Sequence, residues 1–133
     1  MIPRLRPNGT LPPGMHTATI DELLAAFPAR TQQRQIFNDS LRRAVEELRH
    51  LDPTLIIYVD GSYVTSKAEP NDIDLLIVTP TYVTQQILDY LDQVCPVEAV
   101  SLSIYVEPLT PNIMLNFFTT MRSGQAQGIV ELT

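Results

Sequence analysis

Residues 58–79 read YVDGSYVTSKAEPNDIDLLIVT, and the fold depends on this stretch. An apolar run ends at Gly61 and Ser62, a polar loop follows, and Asp72 and Asp74 open a second apolar run. Side chains two residues apart on a strand point to the same face, so these two carboxylates are expected to lie side by side. A buried pair of this kind needs a neutralising cation, usually a divalent metal ion. The alternative is a solvent-exposed strand start after an Asn-Asp turn.

The composition is typical of one globular domain. The chain has 133 residues, of which 44% are hydrophobic, so it can form a core and is too apolar for a disordered segment. Its apolar runs have the length of strands, so no membrane span is expected. The N-terminus lacks the apolar segment of a signal peptide. The single cysteine, Cys95, is expected to be a buried small side chain, and we expect a cytoplasmic protein.

The charge is distributed unevenly along the chain. The net charge is −6, and seven of the nine basic residues lie within the first fifty positions. Only Lys67 and Arg122 follow, against ten carboxylates. A nucleic-acid groove needs clustered Lys and Arg, so direct binding of nucleic acid is not expected. An acidic second half suits a metal site or a basic protein partner.

Periodicity and breakers predict the order of the elements. The predicted elements are an extended arm over 1–18, helices over 19–27 and 31–50, strands over 55–59 and 73–79, a helix over 82–94, a strand over 99–106, a helix over 112–121 and an edge strand over 128–132. Thr19 and Glu22 predict a capping box. The link between the first two strands is too short for a crossover helix, which favours an antiparallel pair. We therefore predict an α+β fold, a single domain over 19–133 with helices packed on a small mixed sheet.

The second helix carries both an apolar stripe and many charges. Ile36 is assigned to the stripe, whereas Arg34 is assigned to the solvated face with the other charged residues.

The segment GSYVTSKAEPNDIDLLIV resembles the signature of polymerase-β-type nucleotidyltransferases, especially the small minimal nucleotidyltransferases of bacteria. The terminal segments LPPGMHTAT and FFTTMRSGQAQGIVEL are similar to an uncharacterised bacterial group of nucleotidyltransferase-like proteins. The resemblance implies a polymerase-β-like fold and an enzyme that transfers a nucleotide from an NTP to a hydroxyl acceptor, with ATP as the expected NTP. In small members of this family the acceptor is often a partner protein, and the pair acts as a toxin–antitoxin system.

Site residues follow from the same resemblance. It implies that Gly61 and Ser62 bind the triphosphate and that Asp72 and Asp74 hold Mg²⁺ or Mn²⁺. Lys67 is the one cation near the motif, and we interpret it either as a phosphate ligand or as an ordinary exposed loop lysine.

The sequence departs from the family's pattern at two places. Ser66 stands where the loop usually has a second glycine, and Ser101 and Ser103 stand where the third strand usually carries a third carboxylate. Glu107 is a candidate third metal ligand if the chain bends back after that strand. These departures keep two further hypotheses open. One is a catalytically impaired, antitoxin-like binding module that neutralises a basic, toxin-like partner by contact, and the other is a structural or oligomeric domain in which the aspartates are incidental.

Overall fold

The computed structural model describes residues 2–70, 72–79, 84–94, 102–108 and 128–133. The elements are β1 (Met15–Ala18), α1 (Ile20–Ala26), α2 (Gln32–Leu51), β2 (Ile56–Asp60), β3 (Ile73–Thr79), α3 (Thr84–Val94), β4 (Leu102–Pro108) and β5 (Ile129–Leu132). A single 3₁₀ turn, Ser62–Val64, follows β2. The described residues therefore form an α+β fold, as predicted. The predicted helix over 112–121, Cys95 and Ser101 lie outside the described residues.

The helices form where the sequence places their caps. Thr19 caps α1, and its hydroxyl accepts a hydrogen bond from the Glu22 backbone N–H at 3.1 Å. The Glu22 carboxylate accepts in return from the Thr19 N–H at 3.0 Å, which completes the predicted capping box. This backbone hydrogen bond lowers the pKa of Glu22. Thr31 caps α2 in the same way, since its hydroxyl accepts from the Arg34 N–H at 3.1 Å.

The five strands form one mixed sheet in the order β1-β5-β2-β3-β4. β2 and β3 are antiparallel, as predicted, and their register places Asp60 opposite Asp74. β4 runs parallel to β3 on its other side, with Ser103 opposite Asp74. The two strands that flank the 61–72 connection therefore lie at or beside the middle of the sheet.

The prediction of an edge strand over 128–132 is wrong. β5 pairs with β2 on one side and with β1 on the other, so both of its edges are occupied. The outer partner comes from the predicted arm, where residues 15–18 pair in parallel with β5. Leu11, four residues earlier, is 1% exposed. Residues 10–18 of the arm thus pack on the domain, and the four-residue strand was too short to show an alternating pattern.

The two faces of β3 have different surroundings. Ile73, Leu75 and Ile77 belong to the main core, which also includes buried side chains of all three described helices. Leu76 and Val78 lie on the other face in a second apolar cluster. Asp74 is two residues from Leu76, so the two side chains lie on the same face of β3. The face with the carboxylates is therefore the one turned away from the main core.

Two positions of α2 differ from the prediction. Ile36, assigned to the apolar stripe, is 51% exposed, whereas Arg34, assigned to the solvated face, is only 5% exposed. Arg34 is buried because its side chain reaches the loop after β2 and donates hydrogen bonds to it.

Within the described ranges, none of the helices combines the length and the apolar character that a membrane span requires.

Candidate functional site

Gly61 lies at the end of β2, where the backbone turns away from the sheet. Its φ is 83° and its ψ is −162°, a conformation that side-chain-bearing residues rarely adopt. A Cβ at this position would lie 2.2 Å from Oδ2 of Asp74. The Gly61 backbone and the Asp74 carboxylate are therefore in direct contact, and glycine is required for both the turn and the approach.

Asp60 and Asp74 form a buried carboxylate pair. They are register partners on β2 and β3, and they are 1% and 2% exposed. Directly opposed residues on antiparallel strands have Cα atoms about 4.5–5.5 Å apart. Sequence reasoning missed Asp60. It lies two residues after Tyr58, so both side chains are on the same face of β2, and an antiparallel pairing brings Asp60 beside the D-x-D motif.

Asp72 precedes β3 by one residue and is half-buried. Its Oδ2 accepts a hydrogen bond from the Ser103 hydroxyl on β4. Ser103 thus occupies the neighbouring-strand position at which a third carboxylate was expected. The backbone of Glu107 lies opposite Val78, four residues further along the strands, which is about 13 Å from the level of Asp74. The β3–β4 register therefore does not bring Glu107 to the aspartates.

The 62–68 loop carries the other predicted ligands, Ser62 and Lys67, and Arg34 holds it from α2. The guanidinium donates hydrogen bonds to backbone carbonyls at three alternate positions. They run from Nη1 to Tyr63 O (3.1 Å), from Nη2 to Thr65 O (2.9 Å) and Lys67 O (2.7 Å), and from Nε to Lys67 O (3.1 Å). The hydrogen bonds of Arg34 thus fix the backbone of Lys67, while the Lys67 side chain is exposed to solvent.

Aromatic rings complete the surroundings of Arg34. Its Cζ lies 5.1 Å from the ring centre of Tyr63 and 6.0 Å from that of Phe27, within the range of cation–π attraction. Burial lowers the pKa of the Arg34 guanidinium, and the neighbouring Tyr63 opposes this shift. Four carbonyl contacts and two rings offset the cost of burying the cation. The sequence gives no local signal for such a residue, because an arginine in the first turn of a helix usually faces solvent.

Tyr63 fixes the beginning of the loop to the core. It is fully buried, and its hydroxyl donates to Oδ1 of Asn38 at 2.5 Å. The Asn38 side-chain amide donates in turn to the carbonyl of Phe27 at 3.3 Å. Burial raises the pKa of the Tyr63 phenol far above its usual value.

Replacing Tyr63 by phenylalanine is expected to cost about 1–2 kcal/mol at pH 8, because Asn38 Oδ1 loses its donor. This difference should shrink at high pH. The raised pKa keeps the folded phenol neutral, while the unfolded phenol ionises near pH 10, so the wild type alone loses about 1.4 kcal/mol for each pH unit above 10. Urea unfolding of both proteins at pH 8 and pH 11 measures the change. A difference that stays constant would contradict this description of Tyr63; the remaining tyrosines are common to both proteins.

The N-terminal segment supports the loop from the other side. The Ser66 N–H donates to the carbonyl of Gly9 at 2.9 Å, and Thr10 forms a β-bridge with Thr65. Between this segment, the α1–α2 junction and the loop lies an open cavity of about 400 Å³. Arg34 and Phe27 are among its lining residues, whereas the aspartates are not.

The carboxylates have the chemistry that a hard cation requires. Within the described residues, no group of three or more His, Cys, Asp and Glu side chains is placed to hold a metal ion. Mg²⁺ is commonly held by one or two carboxylates together with substrate phosphates and water. Asp72 and Asp74 meet that smaller requirement, and glycine at position 61 leaves no side chain between the turn and the Asp74 carboxylate.

Comparison with known proteins gives one match. The model of a family of unknown function, DUF6932, matches residues 3–133, which is almost the whole chain. The chain belongs to DUF6932. The match to DUF6932 begins in the N-terminal segment that supports the loop and includes every residue of the candidate site. No curated protein and no solved structure matches the chain.

Proposed function

We propose that this protein is a Mg²⁺-dependent nucleotidyltransferase-like domain that transfers a nucleotide from an NTP to a hydroxyl acceptor, with ATP as the expected NTP. Mn²⁺ can replace Mg²⁺, and the acceptor can be carried by a partner protein. The proposal includes a polymerase-β-like arrangement of the sheet and a cytoplasmic location.

One observation carries the proposal. The Gly61-Ser62 turn and the Asp72–Asp74 motif are separated by a polar loop in the sequence, yet Gly61 contacts the Asp74 carboxylate directly. A backbone turn that accommodates phosphates and carboxylates that hold a cation are thus adjacent at one end of the β2–β3 pair. This adjacency is what transfer of a phosphate-bearing group requires.

The residues of the chain would act by positioning and by charge. Gly61 and Ser62 would contact the triphosphate, Lys67 would approach it from the loop, and Asp72 and Asp74 would hold the ion. When bound, the ion neutralises charge on phosphoryl oxygens. The acceptor oxygen forms a bond to the α-phosphorus as the bond to pyrophosphate breaks. The acceptor's proton passes to a carboxylate oxygen or to water.

A transfer assay tests this proposal. The protein is incubated with α-labelled ATP, Mg²⁺ and lysate of its source, beside the double variant Asp72→Ala/Asp74→Ala. A matched control, Asp89→Ala/Asp92→Ala, removes two exposed carboxylates from α3. We expect labelled acceptor with the wild type and the control, and a decrease of at least about 100-fold with the first variant, as expected when metal ligands are lost.

The outcomes of this assay separate the hypotheses. Calorimetry with Mg²⁺ and ATP accompanies it. Neither transfer nor Mg²⁺-dependent nucleotide binding by the wild type would contradict the proposal. Equal transfer by the wild type and by Asp72→Ala/Asp74→Ala would place the activity elsewhere.

A second candidate function is the antitoxin-like binding module. The specific observation in its favour is Ser103, which bonds Asp72 from the position expected for a third carboxylate. Without that carboxylate, the site has one fewer metal ligand and one fewer candidate base. Its partner would be a basic, toxin-like protein that matches the acidic second half of the chain. Nucleotide binding without transfer to any acceptor would favour this candidate.

A further inference from the structure

We propose that Arg34 is a positioning residue for the candidate nucleotide site: it sets the conformation of the 62–68 loop and thereby the placement of Ser62 and Lys67. This inference rests on the proposed function for its ligand. The contact between Arg34 and the loop does not depend on that function and can be tested without a nucleotide.

The hydrogen-bond pattern indicates a clamp. Arg34 has five N–H groups, and its four hydrogen bonds end on the carbonyls of Tyr63, Thr65 and Lys67. These carbonyls alternate along the loop, so one planar guanidinium fixes a five-residue span. None of these bonds ends on a carboxylate. A cation that serves only to balance charge would have an acidic partner, whereas this one is matched to the shape of the backbone.

The position of the clamp links α2 to the candidate site. Lys67 is the last residue of the span that Arg34 holds, and its carbonyl accepts two of the four hydrogen bonds, whereas Ser62 directly precedes the span. On the opposite side, the Gly9 carbonyl holds Ser66. A Cβ on Gly9 would lie 2.2 Å from the Ser66 hydroxyl oxygen, so this approach is also close. The loop is thus held between α2 and the N-terminal segment, and of its residues Ser66, Lys67 and Ala68 are exposed.

The loop offers a direct probe of its own conformation. Lys67 is the only lysine in the chain, so a lysine-specific endopeptidase cuts the native protein at one place and yields residues 1–67 and 68–133. Cleavage requires the loop to leave its closed conformation, and the rate follows the open population when reclosing is fast. The carbonyl of the scissile bond is the one that accepts two hydrogen bonds from Arg34.

We expect Arg34→Gln to accelerate cleavage at Lys67 at least about tenfold, because glutamine cannot span three carbonyls. The control is Arg42→Gln, which removes an exposed arginine from the same helix and should cleave at the wild-type rate. Arg34→Lys keeps the cation but offers a single ammonium, so its rate should lie between those of wild type and Arg34→Gln. Its added lysine gives fragments of different mass, and circular dichroism verifies that each variant is folded.

The nucleotide arm of the experiment separates this inference from the proposed function. Mg²⁺ with ATP should slow cleavage of the wild type. Arg34→Gln should bind this nucleotide at least about tenfold more weakly than the wild type. If the protein transfers the nucleotide, Arg34→Gln should change KM for ATP more than it changes kcat. Wild-type cleavage rates in folded Arg34→Gln or Arg34→Lys would overturn the clamp. Faster cleavage in Arg34→Gln with unchanged nucleotide affinity would overturn its positioning role. If the wild type binds no nucleotide but Arg34→Gln still cleaves faster, the proposed function fails and the clamp stands.

Discussion

Replacing Gly61 by alanine is expected to destabilise the protein by about 3–5 kcal/mol and to abolish Mg²⁺-dependent nucleotide binding. Two effects add at this position. An alanine at φ 83° and ψ −162°, a region essentially restricted to glycine, carries a backbone strain of about 1–3 kcal/mol. Its Cβ would also lie 2.2 Å from Oδ2 of Asp74, a buried group that must then move. Urea unfolding and calorimetry measure the two consequences.

Gly14 provides a matched control for the backbone strain. It also has a positive φ, 110°, but a Cβ there would meet nothing within 4 Å. Gly14→Ala should therefore show only the strain, about 1–3 kcal/mol. In the background Asp74→Ala, where the clashing oxygen is gone, Gly61→Ala should cost only its own backbone strain, about 1–3 kcal/mol. If Gly61→Ala costs as little as Gly14→Ala in the wild-type background, the contact with Asp74 is not the reason for this glycine.

The second large effect is expected at Asp60, where asparagine should change stability in opposite directions with and without metal. Burying two carboxylates directly opposite each other costs free energy whether they repel or share a proton, so Asp60→Asn should raise the free energy of unfolding in EDTA by about 1 kcal/mol. In excess Mg²⁺ the same change should weaken the stabilisation by the ion by at least about 1.4 kcal/mol, a tenfold loss of affinity, since the site loses one negative charge beside Asp74.

Urea unfolding of the wild type and Asp60→Asn in both buffers measures this difference. The control is Asp92→Asn, an exposed carboxylate on α3 whose neutralisation should change neither value by more than about 0.5 kcal/mol. Lower stability of Asp60→Asn in EDTA would mean that the Asp60 carboxylate stabilises the metal-free fold, contrary to this expectation.

The sequence predicts those features that depend on residues close together in the chain. The capping box at Thr19 and the alternation along β3 are local patterns, and both are confirmed. The antiparallel pairing of β2 and β3 follows from the short link between them and is also confirmed. The contact between Gly61 and Asp74 is one consequence of that pairing, so the candidate site is largely encoded within 58–79.

Other features arise from pairings between distant segments, and local patterns do not predict them. β1 is recognisable as a strand only because β5, from the other end of the chain, pairs with it. Arg34 looks like a surface residue until the loop after β2 is placed against α2, where three carbonyls need donors. Asp60 was visible in the sequence, but its importance depends on the register that places it opposite Asp74.

The position of β5 also has a consequence for how the protein is made. The strand that fills the gap between β1 and β2 is encoded at residues 129–132, so the ribosome delivers it after the other strands of the described residues. Until then the edge of β2 that β5 will occupy is open and can pair with another chain. We therefore expect aggregation to compete with folding until residues 129–132 are available to pair with β2 and β1.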